Sequence, residues 1–214
     1  MADFAVQDGQ SILFIGDSIT DAGRRAAAAP YGQGYVAIFI DLITAKYPER
    51  NIACINKGNG GDRVTGLFDR WRDDVIRHQP DWLSIMIGIN DLHSVLRGVE
   101  PNVPLELFRE KCDGILARTR DEIGAQVVLI DPFYVSVDGD GDGFRAMVLE
   151  TIPKYIAVVE EMAEKYDTRR VPMHHIFAEQ LKYRESEVFC PEPVHPNRTG
   201  HVVIANALLD ALTD

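Results

Sequence analysis

Short apolar runs alternate along this chain with longer stretches in which apolar residues recur every three or four positions. The runs Ser11–Ile15, Ile52–Ile55, Trp82–Ile87, Val127–Ile130 and Val171–Met173 are brief, nearly continuous blocks of apolar side chains and read as strands. Only Ser84 interrupts the third. Between them, Gly34–Tyr47 places Val36, Phe39, Ile40, Ile43 and Tyr47 at helical spacing, with Pro48 beyond as a stop. Val64–Arg77 reads as a helix ended before Pro80, and Leu105–Arg120 as one with Leu107, Phe108, Ile115 and Leu116 on its inner face. Ile156–Tyr166 is expected to be helical, entered through Pro153, because proline is tolerated in a first helical turn. Ile176–Tyr183 and Thr199–Leu212 complete the helices, and Ala26–Pro30 is a small-residue loop expected to cross the active face. The connections are too long for hairpins. Alternating strand and helix then predicts a parallel sheet sandwiched between helices and built from right-handed βαβ units.

The polar residues at the strand ends change the picture from fold to chemistry. The first strand runs into Gly16-Asp17-Ser18-Ile19-Thr20-Asp21, the second into Asn56-Lys57-Gly58-Asn59-Gly60-Gly61-Asp62-Arg63, and the third into Gly88-Ile89-Asn90-Asp91. In a parallel sheet these ends share the carboxyl edge, where open α/β proteins bind ligands. A serine attacking an ester needs donors aimed at the oxyanion that develops. The backbone N–H groups of Ser18 and Gly61 and the side-chain amide of Asn90 would supply them. The hydroxyl also needs a base, because it is a weak nucleophile at its own pKa. His195, in the proline-stiffened stretch Cys190-Pro191-Glu192-Pro193-Val194-His195-Pro196, is the candidate. Glu192, three residues earlier, is placed to hold the ring tautomer and stabilise the imidazolium.

Taken together these blocks resemble the SGNH hydrolases, also called the GDSL esterase family. Gly16-Asp17-Ser18-Ile19 matches the nucleophile block, Asn56-x-Gly58-x-x-Gly61-Asp62 the glycine block, Gly88-x-Asn90-Asp91 the asparagine block, and Val194-His195-Pro196 with Gly200-His201 the histidine block. The wider context, including Gly32-x-Gly34-Tyr35 and Arg70-Trp71, is similar to bacterial intracellular acetylxylan esterases of that family. The resemblance implies a three-layer α/β/α sandwich on a five-stranded, flavodoxin-like parallel sheet. It also implies a serine esterase acting without metal or cofactor on short acyl groups, above all acetyl on small carbohydrates such as xylo-oligosaccharides. Members are often assemblies, so a homo-oligomer is compatible with it. One position departs from the pattern: the family has aspartate three residues before the histidine, and this chain has Glu192. A glutamate serves as triad acid in other serine hydrolases; the alternative is that Pro191 and Pro193 hold it away from His195 and leave a serine–histidine dyad.

Composition narrows the alternatives. With 214 residues, no internal repeat and no low-complexity linker, residues 1–214 are expected to form one domain. A formal net charge of −11 argues against nucleic acid or an anionic membrane surface as partner. Apolar runs such as Val202–Ala205 are far too short to span a bilayer. The first ten residues carry acids but no Lys or Arg, and the three cysteines (Cys54, Cys112, Cys190) have no framework spacing; a cytoplasmic setting is expected. Asp17 and Asp91 are expected to hold loop geometry, with Arg24 and Arg63 as structural partners for such acids. His93, just past Asn90, is a candidate for the substrate pocket. Asp138-Gly139-Asp140-Gly141-Asp142-Gly143 opens like an EF-hand loop but has Leu149 where the twelfth-position glutamate belongs, so it reads as a solvated acidic turn. His174 and His175 are adjacent and poor co-ligands for a metal, and Cys190 is a weak alternative nucleophile. An esterase/lysophospholipase or thioesterase on another acyl substrate is one alternative, and a non-catalytic sugar- or anion-binding module on the same sheet edge is the competing class. It gives His195 and Asn90 no joint role.

Overall fold

The structure is a computed structural model that describes residues 4–137, 139 and 143–213. The acidic turn expected around Asp138–Asp142 lies largely outside the described residues.

Five parallel strands form one sheet in the order β2-β1-β3-β4-β5. They are β1 (Ser11–Gly16), β2 (Ala53–Asn56), β3 (Trp82–Met86), β4 (Gln126–Ile130) and β5 (Arg169–Val171). The helices are α1 (Ser18–Asp21), α2 (Tyr35–Lys46), α3 (Val64–Asp74), α4 (Ile89–Leu96), α5 (Leu105–Glu122), α6 (Phe144–Tyr166), α7 (Met173–Gln180) and α8 (Arg198–Ala211). Residues 12–16 of β1 and all of β3 are buried, as central strands covered on both faces must be. Helix α2 packs on α8 in one layer, and α3, α5, α6 and α4 pack on one another in the other. None of the described helices is long and apolar enough to cross a membrane.

Strand order places the site. The chain moves from β1 to β2 on one side and then returns to lay β3 on the other, so the order reverses about β1. Connections leaving the strands at such a point diverge and open a crevice at the carboxyl edge. Register aligns the three relevant ends: Gly16 pairs with Met86 and Phe14 with Asn56. The loop after β2 thus starts beside Phe14, where Lys57 N–H donates to its carbonyl at 2.7 Å, and then passes over the end of β1.

Three elements differ from the sequence expectation. Ile89–Leu96 is a helix, although Gly88-Ile89-Asn90-Asp91 reads as a turn. Helix α6 begins at Phe144 rather than near Pro153 and carries that proline in its interior. Strand β5 ends at Val171, so His174 and His175 stand on α7. His174 Nδ1 accepts the Tyr134 amide at 3.3 Å, and His175 Nε2 lies 3.8 Å from Glu179.

Candidate active site

Ser18 is the first residue of α1, so its N–H has no acceptor within the helix. Asp17 caps that helix: its Oδ1 accepts the Ile19 amide at 3.0 Å. The loop after β2 is seated against this turn by two devices. Asn56 donates from Nδ2 to the Thr20 and Tyr31 carbonyls, 2.8 Å each, and accepts the Gly58 amide at 2.8 Å. Asp21 accepts the Gly60 amide at 3.1 Å while Arg25 holds its carboxylate at 2.9 Å. As a result the loop lies over the serine; a Cβ built on Gly60 would sit 4.0 Å from Ser18 Cβ. Gly61 adopts φ +80°, the left-handed region in which a side chain is strained.

Asn90 joins the two blocks from the second position of α4. Its Nδ2 donates to the Asp62 carbonyl at 3.1 Å and stands 3.4 Å from Asp17 Oδ2. The next residue, Asp91, is fully buried and caps α3 by accepting the Val64 amide at 2.9 Å, while its Oδ2 has no partner. Burial pushes Asp17 up to about 6 and Asp91 to about 7. Through their caps on α1 and α3 both hold geometry. Arg24 and Arg63 do so differently from the expectation: each donates to a backbone carbonyl, of Gly58 at 2.6 Å and of Pro101 at 2.5 Å.

On the other side of Ser18, His195 Nε2 lies 2.9 Å from the serine Oγ. Its Nδ1 meets Glu192 Oε1 in a short hydrogen bond. The glutamate also accepts the Val194 and His195 amides, at 3.0 and 2.8 Å, so one carboxylate both shapes the loop and touches the ring. Partial burial raises the Glu192 pKa, but these hydrogen bonds outweigh it and hold the group below its ordinary value. The loop is anchored at both ends. Pro193 O accepts the Val135 amide at 2.8 Å, and Asn197 caps α8 through the Gly200 amide at 3.1 Å. Pro191 and Pro193 thus do not hold the acid away from the histidine.

A cleft of about 440 Å³ opens beside the pair, lined by Ser18, Ile19, Ala22, Gln33, Pro196, Arg198 and His201 among others. His201 Nδ1 accepts the Tyr35 amide at 3.2 Å, which leaves Nε2 as the protonated nitrogen, and burial lowers its pKa to about 4. His93 does not line this cleft. It stands one turn after Asn90 with its ring 6.0 Å from Tyr134 and 5.2 Å from Phe144, and burial lowers its pKa to about 4. Cys190 is buried, which pushes its thiol up to about 12 and keeps it protonated, a poor setting for a nucleophile.

Comparison with known proteins bears on the family and the fold. A curated relative, an acetylxylan esterase of Geobacillus stearothermophilus, is 35% identical over 212 residues, covering 95% of this chain and 94% of its own. A solved structure of a variant of an acetyl xylan esterase from the same organism superposes with a TM-score of 0.89 at 34% identity, covering 97% of this chain and 96% of that one. An alpha/beta hydrolase enzyme from the metagenome of Lake Arreo, Spain, gives a TM-score of 0.88 at 30% identity over 98% of both chains. Further structures of the Geobacillus esterase are catalytic mutants in which a serine, an aspartate or a histidine is replaced by alanine, the aspartate three residues before the histidine. The sequence profile of the GDSL-like lipase/acylhydrolase family matches residues 14–203, and the chain belongs to that family.

Proposed function

We propose that this protein is a serine esterase that removes acetyl groups from small acetylated carbohydrates, xylo-oligosaccharides among them, with residues 1–214 acting as one catalytic domain. The observation that carries the reading is the continuous hydrogen-bonded chain from Glu192 through His195 to Ser18 Oγ. A binding module would have no use for such a chain.

In this reading Ser18 Oγ attacks the acyl carbonyl while His195 Nε2 takes its proton. Glu192 keeps the Nδ1–H tautomer in place and stabilises the imidazolium. The oxyanion is met by the N–H groups of Ser18 and Gly61 and by Asn90 Nδ2. One amide hydrogen of Asn90 is committed to the Asp62 carbonyl at 3.1 Å. The other has only the long 3.4 Å contact with Asp17 to give up. His195 then protonates the departing sugar alkoxide, and water activated by the same histidine deacylates Ser18. Each oxyanion donor is worth about two to three orders of magnitude in rate. His93 lies outside the cleft that holds His201, against Tyr134 and Phe144; because it feels the charges of Glu192 and His195, we assign it to the opposite side of the substrate site. The acetyl-carbohydrate assignment is supported by the Geobacillus relatives, described as acetylxylan and acetyl-xylooligosaccharide esterases.

The test is hydrolysis of p-nitrophenyl acetate and release of acetate from an acetylated xylo-oligosaccharide, by wild type and by Ser18→Ala. Wild type turns over both, and the variant loses at least about three orders of magnitude in kcat. Hydrolysis that survives the substitution would overturn the serine assignment. Activity on the nitrophenyl ester alone would overturn the carbohydrate one.

A further inference from the structure

Arg70 projects from α3 with its side chain about four-fifths buried (19% exposed), and its guanidinium touches four groups. Nε donates to Asp62 Oδ2 at 2.8 Å. Nη1 donates to the Lys57 carbonyl at 2.9 Å and to Asp74 Oδ2 at 2.7 Å, and Nη2 reaches the Gly16 carbonyl at 3.4 Å. These are the ends of the two loops that supply the backbone donors. Gly16 is two residues before Ser18, and Asp62 directly follows Gly61. The third donor is tied in through Asp62 as well, whose carbonyl accepts Asn90 Nδ2. A single cation thus connects every part of the oxyanion hole from below.

A second observation points the same way. Gly66 lies inside α3, where glycine costs about 1 kcal/mol relative to alanine. A Cβ there would stand 2.2 Å from Asp62 Oδ1. The missing side chain makes the room in which the Asp62 carboxylate turns toward Arg70.

We propose that Arg70 is a positioning residue for the oxyanion hole: through Asp62 and the Gly16 and Lys57 carbonyls it fixes the distance between the Ser18 and Gly61 amides and the aim of Asn90. The proposal rests on the esterase reading above. Preorganised donors contribute most when they need not move as charge develops. Loosening their common anchor is then expressed in the transition state more than in ester binding.

The experiment is steady-state hydrolysis of p-nitrophenyl acetate by Arg70→Met, alone and combined with Asn90→Ala. Arg70→Met is expected to lower kcat by roughly 10- to 100-fold with KM changed less than about threefold. Added to Asn90→Ala, it should cost a clearly smaller factor than it does alone, because one of the three donors it aims is already gone. Asp62→Asn and Gly66→Ala should show the same kcat-weighted loss, the latter despite its better helix propensity. An unchanged kcat in Arg70→Met overturns the proposal. So does an equal factor lost with and without Asn90, the signature of a merely structural ion pair. If Arg70→Met does not unfold cooperatively, Asp62→Asn carries the same comparison with the same two outcomes. Ser18→Ala separates the premises: wild-type activity that survives it removes the esterase reading, whereas Ser18-dependent activity indifferent to Arg70 removes only this proposal.

Discussion

Glu192 carries two jobs that aspartate and glutamate divide differently. Its carboxylate accepts two backbone amides of its own loop and touches the imidazole, and the extra methylene is taken up in that local turn. Two substitutions separate the jobs. Glu192→Gln keeps an oxygen for only one of the two amides, which bond to different carboxylate oxygens, and cannot stabilise an imidazolium; where the triad acid of a serine protease is changed to its amide, the loss is about four orders of magnitude. We expect kcat to fall by roughly three to four orders of magnitude here, with the thermal midpoint lowered less than in Glu192→Ala. Glu192→Ala should lose both, rate and loop order together. Glu192→Asp restores the family's residue at the same spacing and should keep activity within about tenfold of wild type. Rates for the three variants, read beside their melting curves, check this. A Gln variant as active as wild type would leave a Ser18–His195 dyad.

At the scale of elements, α6 shows how a single residue misleads. Pro153 reads as a helix entry, yet Val148, Ile152, Tyr155, Val159 and Met162 continue one buried stripe through it from Phe144. The stripe wins because burying it outweighs the one hydrogen bond proline removes, normally made to the Leu149 carbonyl. Pro153 itself is exposed, so nothing packs on its ring to be lost. Pro153→Ala is therefore expected to raise unfolding stability by about 1–3 kcal/mol with unchanged esterase activity, measured by urea denaturation and nitrophenyl acetate turnover. The same contest decides what was legible elsewhere. Strands β1, β3 and β4 were plain because buried parallel strands are continuous apolar runs. Helix α4 was not, since its start, Gly88-Ile89-Asn90-Asp91, carries turn residues whose side chains serve the site and α3 rather than their own helix. Strand β5 overlaps the apolar run Val171–Met173 only at Val171, because its first two residues are arginines that are only partly buried and carry no apolar signal. Ser18, Gly61, Asn90, Glu192 and His195 were visible as residue types at strand ends and in a stiff loop. Arg70 is visible only as part of the Arg70-Trp71 match and its role is not, because its contacts lie up to 54 residues away in sequence and no local pattern encodes them.

For the whole molecule, the carboxyl edge concentrates buried acids, and this has a measurable sign. The folded chain holds the Asp91 proton up to about 7, through burial chiefly, whereas the ordinary value is 3.8. The folded state thus binds more protons than the unfolded one between those limits. Stability from this group is complete below about 4 and falls as pH rises through the window, levelling above about 7. Asp17, raised to about 6, acts in the same direction over a narrower range. His93 and His201, lowered to about 4 from 6.5, act oppositely between those values, because the unfolded state takes up their protons first. The total profile is a sum of opposed slopes, but a difference isolates one group. Asp91→Asn keeps an oxygen for the Val64 amide and removes the titration. Relative to wild type it should gain stability steadily from about pH 4 to about pH 7, by on the order of a few kcal/mol in total, and hold a constant difference above that. Urea unfolding of both proteins at unit pH intervals measures it. Parallel profiles would mean that Asp91 ionises in the fold as freely as in the open chain, and that its unpartnered Oδ2 finds solvent at the floor of the site.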